Sequence, residues 1–151
     1  MDQFANNESF WALLVPELSV RNLEQSLRFY RDTLGFAEKI TRPEDGFSYL
    51  EMGQVQIMLE QIPEDPEDMW QTAPLEAPLG RGINFQIEVQ NVRLLHDRTV
   101  RAGYEIFEAI DTAWYREGDH ENGQEQFLVQ DPDGYLLRFM QHLGKRPVQL
   151  L

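Results

Sequence analysis

Residues 124–141 read QEQFLVQDPDGYLLRFMQ, and this stretch predicts two strands joined by one tight turn. Within the turn Asp131–Gly134, proline fixes φ early and glycine accepts a positive φ late. The flanking residues are mostly β-branched, aliphatic or aromatic, as is typical of strands. We therefore predict a β-hairpin formed by Gln124–Gln130 and Tyr135–Gln141.

The residues before this hairpin predict a strand, a helix and a further strand. Gly82–Val89 has the composition of a strand, and Asn91 has the type and position of a helix N-cap. The helix is predicted over Val92–Ala102, with Gly103 ending it. Tyr104–Glu108 is predicted as the next strand.

The stretches on either side of the hairpin strands are predicted to be irregular. Ala109–Gly123 is long and polar, so we expect a loop that carries Trp114 and Tyr115. Residues 143–151 are expected to form a short tail, in which Leu150 and Leu151 pack on a partner or lie free.

The first half of the chain has the same predicted order. Trp11–Val20 reads as a strand, and Pro16 restricts that strand to an edge or a crossover because it has no N–H to donate. Asn22 caps a helix, with Gln25 as its capping-box partner, and Gly35 ends it. Three more strands are predicted, over Phe36–Arg42, Phe47–Met52 and Val55–Gln61.

The repeated order indicates an internal duplication. The two capping asparagines, Asn22 and Asn91, lie 69 residues apart (91 − 22) and are each followed by a helix and three strands. The sequence therefore predicts two βαβββ modules, over residues 11–61 and 82–141. The acidic linker 62–81 joins them, and Trp70 is expected to anchor it.

Composition restricts the function. The chain has 151 residues, 42% of them hydrophobic, which suits a single domain. It has no cysteine, so disulfides and thiolate chemistry are excluded. The net charge of −13 argues against nucleic acid and favours a cationic small molecule, although plain solubility also explains it. Residues 1–9 look polar and frayed, and no signal peptide or membrane span is visible, so we expect a cytoplasmic protein.

Three motifs carry a family resemblance, namely VPELSVRNLEQSLRFYRDTLGF (15–36), NFQIEVQN (84–91) and FLVQDPDGYLLRF (127–139). With them the chain, from Leu13 to Gln141, resembles the vicinal-oxygen-chelate superfamily. That group holds glyoxalase I, the extradiol dioxygenases, and the fosfomycin- and bleomycin-resistance proteins. The resemblance implies an α+β fold with a curved mixed sheet around a concave cleft and helices outside.

In the metal-dependent members, four inward-facing positions bind a divalent ion. The resemblance carries them onto Val15, Met58, Asn84 and Arg138. Valine and methionine are not ligands for Mg, Mn, Fe or Zn, asparagine is a weak one, and arginine would repel the ion. We therefore expect no metal, no cofactor and no catalytic residue. The three histidines, His96, His120 and His142, are expected to be ordinary surface residues.

Four polar residues share the strand parity of those positions, namely Glu17, Glu60, Gln86 and Glu88. They could build a displaced carboxylate metal site. Alternatively, Glu17 and Glu60 could form an ion pair with Arg138 or Arg42.

The metal-free members of the superfamily are the bleomycin-resistance proteins, and Val15-Pro16 is similar to their first strand. The resemblance implies a homodimer that sequesters a cationic drug with a planar bithiazole, without altering it. Glu17, Glu60 and Glu88 would contact the cation. The rings of Phe47, Tyr49, Trp114 and Tyr115 would stack on the drug, with Gln86 and Arg138 completing the candidate site.

Other interpretations remain open at this stage. Phe47 and Tyr49 could be core residues. Gly123 and Gln86 replace aromatic residues of some resistance proteins, which leaves bleomycin itself open as the ligand. A metal-dependent lyase, isomerase or dioxygenase with an atypical carboxylate site is the alternative function. A structural or regulatory domain with a filled cavity is the third.

Overall fold

The computed structural model describes residues 10–65, 67 and 69–149, and the chain divides into two compact units. The first unit comprises the chain to Leu79 together with the turn Asp131–Gly134, and the second comprises Gly80–Gln130 and the chain from Tyr135. The expectations for residues 1–9, Leu150 and Leu151 lie outside the described residues.

The first module contains four strands and one helical segment. The elements are β1 (Glu17–Val20), α1 (Leu23–Leu27), which continues as π-helical turns over Arg28–Leu34, β2 (Ala37–Arg42), β3 (Phe47–Met52) and β4 (Val55–Gln61). The sheet order is β1-β4-β3-β2, with β1 parallel to β4 and the other pairs antiparallel.

Both predicted ends of the first helical segment are confirmed. The Asn22 side chain accepts a hydrogen bond from the Gln25 backbone N–H at 2.9 Å, which satisfies a donor that the first turn leaves free. Gly35 ends the segment with φ of 93°, a left-handed conformation that glycine adopts without a Cβ clash. Between these ends, Phe29 and Tyr30 are fully buried.

The second module repeats this order. Its elements are β5 (Asn84–Glu88), α2 (Val92–Arg101), β6 (Ile106–Glu117), β7 (His120–Gln130) and β8 (Leu136–Pro147). The sheet order is β5-β8-β7-β6. The Asn91 cap is confirmed too, because its side chain accepts from the Leu94 N–H at 3.0 Å.

The α+β class and the two βαβββ modules are confirmed. Within the described residues each module builds its own sheet, so the predicted mixed sheet consists of two four-stranded sheets. That the two modules act as one domain stays a prediction.

The first strand is shorter than predicted, because it begins at Glu17 and not at Trp11. Pro16 cannot donate to a ladder, and only its carbonyl bonds to the sheet, accepting from the Met58 N–H at 2.8 Å. The Ala12 N–H bonds instead to the side chain of Gln56. The predicted edge position next to Pro16 is correct, since β1 ends the sheet order.

The prediction of a loop over Ala109–Gly123 is wrong. Strands β6 and β7 run through this stretch and pair there, for example Thr112 with Glu125. Most residues of β6 are exposed, so they do not show the apolar alternation that marks a half-buried strand. The predicted tail is corrected as well, because residues 143–147 extend β8.

The linker is irregular, but Trp70 does not anchor it. The Trp70 side chain is 99% exposed, whereas the neighbouring Met69 is buried. Ile62 and residues 71–75 line an open depression of about 450 Å³ in this part of the chain. No helix within the described ranges is long and apolar enough to cross a membrane.

Candidate functional site

Four of the predicted site residues lie on one face of the first sheet. Glu17 and Tyr49 are each paired directly with Met58, and Phe47 is paired with Glu60. Residues paired directly across neighbouring strands project to the same side of a sheet. We call these five residues, Glu17, Phe47, Tyr49, Met58 and Glu60, the first-sheet face.

The two carboxyl groups of the first-sheet face interact with each other. The pKa of Glu17 is raised to about 7, first by partial burial and then by the hydrogen bond and the charge of Glu60, while the charge of Arg42 acts in the opposite direction. The suggested partnership of Glu17 with Arg42 is therefore present as an electrostatic attraction. The pair carries an additional proton through the range in which single glutamates are ionised.

Glu17 is expected to make the stability of the protein fall as the pH rises. Its pKa is higher in the folded chain than the ordinary 4.5. The stabilisation is therefore complete below pH 4.5 and is lost as the pH approaches about 7. Glu17→Gln should remove this slope and raise the free energy of unfolding at pH 8 by about 1 kcal/mol, after allowance for solvent screening.

Urea unfolding of both proteins at pH 5 and pH 8 measures this effect. Glu24→Gln, on the exposed side of α1, is the control with the same change of charge. If the stability of the Glu17→Gln protein falls with pH as steeply as that of the unmodified protein, Glu17 is not the cause of the slope.

Phe47 has a cation stacked against its ring. The Arg42 guanidinium carbon lies 4.1 Å from the ring centroid, and Arg42 Nε also donates to Asp45 at 3.1 Å. The Phe47 side chain is only 7% exposed. A planar ligand stacking on this face of the ring would therefore replace Arg42.

Tyr49 belongs to a packed polar cluster, which we call the Tyr49 cluster: Trp11, Lys39, Tyr49, Glu51 and Gln56. The Tyr49 hydroxyl donates to Gln56 at 2.7 Å, and the Trp11 ring meets the Tyr49 ring edge-on at 5.5 Å. Lys39 Nζ lies 3.2 Å from a Glu51 oxygen and 4.6 Å from the Trp11 ring centroid. Burial, and then the charge of Glu51, raise the pKa of Tyr49. The chain thus covers Tyr49 with its own residues.

The remaining candidates on strands β5 and β8 share one face of the second sheet. Arg138 pairs directly with Gln86 on one side and Leu128 on the other, and Glu88 pairs with Met140. We call Gln86, Glu88, Leu128, Arg138 and Met140 the second-sheet face. Gln86 and Glu88 are exposed, and Arg138 is half-buried.

Trp114 and Tyr115 lie on strand β6 and not in a loop as predicted. The Trp114 ring lies against Gly123, where a Cβ atom would come within 2.5 Å of it. The Arg146 guanidinium covers the ring at 4.0 Å from its centroid. Gly123 thus makes room for the Trp114 indole. The Tyr115 hydroxyl, on an exposed ring, accepts from Gln126 at 3.0 Å.

The four positions carried over from the metal-dependent proteins are distributed as follows. Val15 is half-buried and precedes β1, while Met58, Asn84 and Arg138 lie in strands. Among residues 10–65, 67 and 69–149, no three His, Cys, Asp or Glu side chains are grouped so that they could hold a metal ion. The absence of a metal stays a prediction. His96 is more than a surface residue, because its ring contacts Phe127 edge-on at 5.2 Å.

Four residues that contact the candidate site residues escaped the sequence prediction, namely Trp11, Lys39, Gln56 and Arg146. Gln56 could have been found, because it shares the strand parity of Met58 and Glu60. The others act through contacts between segments that no local pattern records.

The chain is similar to several known proteins in sequence or in fold. A bleomycin resistance protein from Geobacillus stearothermophilus is 28% identical over 138 residues, which cover 85% of this chain and 96% of that protein. TioX from Micromonospora sp. ML1 is 20% identical, covers 86% of this chain and 98% of its own, and has a TM-score of 0.67. A virulence protein from Salmonella typhimurium is 20% identical, covers 89% and 98%, and has a TM-score of 0.65.

The two solved structures show the fold that the strand order and the repeated modules describe. The family model that matches spans residues 12–139, which is most of both modules. The chain therefore belongs to the Glyoxalase/Bleomycin resistance protein/Dioxygenase superfamily.

Proposed function

We propose that this protein is a non-catalytic binding protein that sequesters a bleomycin-type cationic drug. The observation that carries the proposal is the carboxyl pair Glu17–Glu60 beside the ring of Phe47 on the first-sheet face. The superfamily also contains enzymes, so the family alone does not select this function. The relative of 28% identity supports it.

The first-sheet face has the chemistry that a cationic planar ligand needs. Two neighbouring carboxyl groups attract a positive charge, and the net charge of −13 raises the local concentration of cations. Arg42 already demonstrates that the ring of Phe47 accepts a planar cation at 4.1 Å. A drug with a cationic tail and a flat ring system would use the same two features.

The residues at the four metal-binding positions support a binding function over catalysis. Val15 and Met58 have no donor suited to a hard divalent ion, and Arg138 carries a fixed positive charge. Two further features are part of the proposal, a cytoplasmic location and a homodimer. The exposed Leu13 and Leu14, which precede Pro16, favour a partner chain over them, and light scattering measures that state.

Titration calorimetry with bleomycin tests the proposal. Dialysed protein whose metal content has been measured is expected to bind about one drug per subunit, and more weakly at high salt because screening reduces the attraction. Glu17→Gln combined with Glu60→Gln should weaken binding about tenfold, which is about 1.4 kcal/mol.

The matched control is Glu64→Gln with Glu76→Gln, which changes the net charge equally at exposed linker positions. Equal weakening by both double variants would show that only the overall charge matters. No heat at any salt concentration would contradict bleomycin as the ligand.

The alternative is a metal-dependent lyase, isomerase or dioxygenase, and the same carboxyl pair is the observation that favours it. Glu17 and Glu60 could bind a divalent ion at a place displaced from the usual positions. Metal analysis of protein purified without chelator distinguishes the two functions. A stoichiometric ion that is lost in the Glu17→Gln, Glu60→Gln protein would establish the alternative.

A further inference from the structure

Arg138, on the central strand β8 of the second sheet, has no acidic partner among the described residues. Within the described ranges, no carboxylate oxygen lies at ion-pair distance from its guanidinium. Its Nε atom is buried and has no hydrogen-bond partner there. A buried donor without an acceptor is rare in folded proteins and destabilises them. A guanidinium cannot relieve this by losing its charge.

Three of the four direct neighbours of Arg138 on its side of the sheet are apolar. Leu128 is its direct partner on β7, and Leu136 and Met140 flank it on the same side of β8. Gln86, its direct partner on β5, is exposed and carries an amide that can donate. A buried N–H donor of a guanidinium, with apolar side chains as its direct neighbours and one amide beside it, matches an anionic group attached to an apolar body.

We propose that the second-sheet face binds an organic anion, a carboxylate or phosphonate on an apolar body. Arg138 holds the two oxygens of the anionic group through its N–H fork, and the Gln86 amide donates a further hydrogen bond. Leu128 and Met140 contact the apolar body. This goes beyond the proposed drug binding, because the ligand charge is opposite and the residues belong to the other module.

The acidic character of the chain does not prevent such a site. Charges separated by more than about 10 Å are largely screened at 0.1 M salt, so the nearby cation decides the local attraction. Two carboxylates lie on the same side of the sheet as Arg138, namely Glu88 and Glu108. Glu88 is paired with Met140, and Glu108 is paired with Leu128. Glu88 lies diagonally next to Arg138, so Glu88→Gln is expected to strengthen anion binding.

Nitrogen-15 spectra of the arginine Nε–H groups test the proposal. The Arg138 signal is identified by its loss in Arg138→Lys. It is expected to move saturably on titration with phenylphosphonate or benzoate and to stay in place with benzamide, which has the same ring and no charge. In thermal-shift titrations, Arg138→Gln should weaken phenylphosphonate binding at least tenfold.

The control for charge is Arg101→Gln, at an exposed position near the end of α2, which should leave the affinity unchanged. Gln86→Ala, at an exposed position, should weaken binding severalfold without disturbing the fold. An unmoved Arg138 signal, an equal response to benzamide or to inorganic phosphate, or equal losses in the Arg138 and Arg101 variants would overturn the proposal. Bleomycin binding does not enter this test, so either proposal can fail alone.

Discussion

Replacing Asp133 by alanine is expected to lower the free energy of unfolding by about 3 kcal/mol. The Asp133 side chain is 3% exposed and accepts hydrogen bonds from Arg21 N at 3.0 Å and Arg21 Nε at 2.8 Å. Ser26 Oγ lies 3.4 Å from its second oxygen. Alanine would leave the Arg21 backbone N–H and the buried Ser26 hydroxyl without their acceptor.

The turn around Asp133 is held by further bonds of the same kind. The Tyr30 hydroxyl, which is fully buried, donates to Asp131 at 2.7 Å, and the Asp133 N–H donates to Asp131 at 2.9 Å. The Leu79 N–H donates to the Asp133 carbonyl at 2.7 Å. Alanine at position 133 keeps these bonds, so the expected loss comes from the Arg21 and Ser26 donors that the Asp133 side chain serves.

Urea unfolding at neutral pH measures the effect. The matched control is Asp45→Ala, which removes an exposed ion pair with Arg42 and is expected to change stability by less than about 1 kcal/mol. If the two variants lose the same stability, the buried network around Asp133 is not what holds the turn.

Replacing Lys39 by methionine is expected to destabilise the protein by about 3 kcal/mol. Lys39 Nζ and the Glu51 carboxylate lie 3.2 Å apart, and their side chains are 8% and 3% exposed. Methionine keeps the length of the stem and removes the charge, so Glu51 would remain buried without its cation. Gln56, which also donates to Glu51, compensates only in part.

A double-mutant cycle separates the pair from the packing. Lys39→Met combined with Glu51→Gln should recover most of the loss, because no uncompensated charge is left in the interior. Additive losses in the double variant would show that each residue acts through separate contacts. Urea unfolding of the unmodified protein, the two single variants and the double variant gives four midpoints. These can be compared directly if the slope of the unfolding free energy against urea concentration is the same in all four.

The Tyr49 cluster also affects which ring on β3 a ligand can reach. Gln56 donates to the Phe10 carbonyl at 3.0 Å and accepts from the Ala12 N–H at 2.9 Å, and this places Trp11 against Tyr49. Of the two rings proposed for stacking on β3, Tyr49 is therefore covered by Trp11 and Phe47 by Arg42. We expect a ligand to displace Arg42 more readily than Trp11, because the ion pair of Arg42 with Asp45 is exposed, whereas the segment that carries Trp11 is bonded to the buried side chain of Gln56.

Sequence patterns located the elements that have strong local signals. Asparagine caps, glycine ends and apolar strands such as Phe47–Met52 and Val55–Gln61 were predicted correctly, because each depends on neighbours close in the chain. The strand β6 was missed beyond Glu108. Its polar residues have no buried face to mark them, and only the pairing with β7 makes them a strand.

The duplication and the family were determined by the sequence alone, since both depend on residue types at fixed spacing. So was the placement of Glu17, Glu60, Gln86 and Arg138 on shared strand faces, because strand parity is a local property. Tertiary structure alone decided which of these groups are paired. Glu17 contacts Glu60, Phe47 lies under Arg42, and Trp114 lies on Gly123, while Arg138 Nε has no partner among the described residues. These differences arise from contacts between strands, and spacing along the chain carries no record of them.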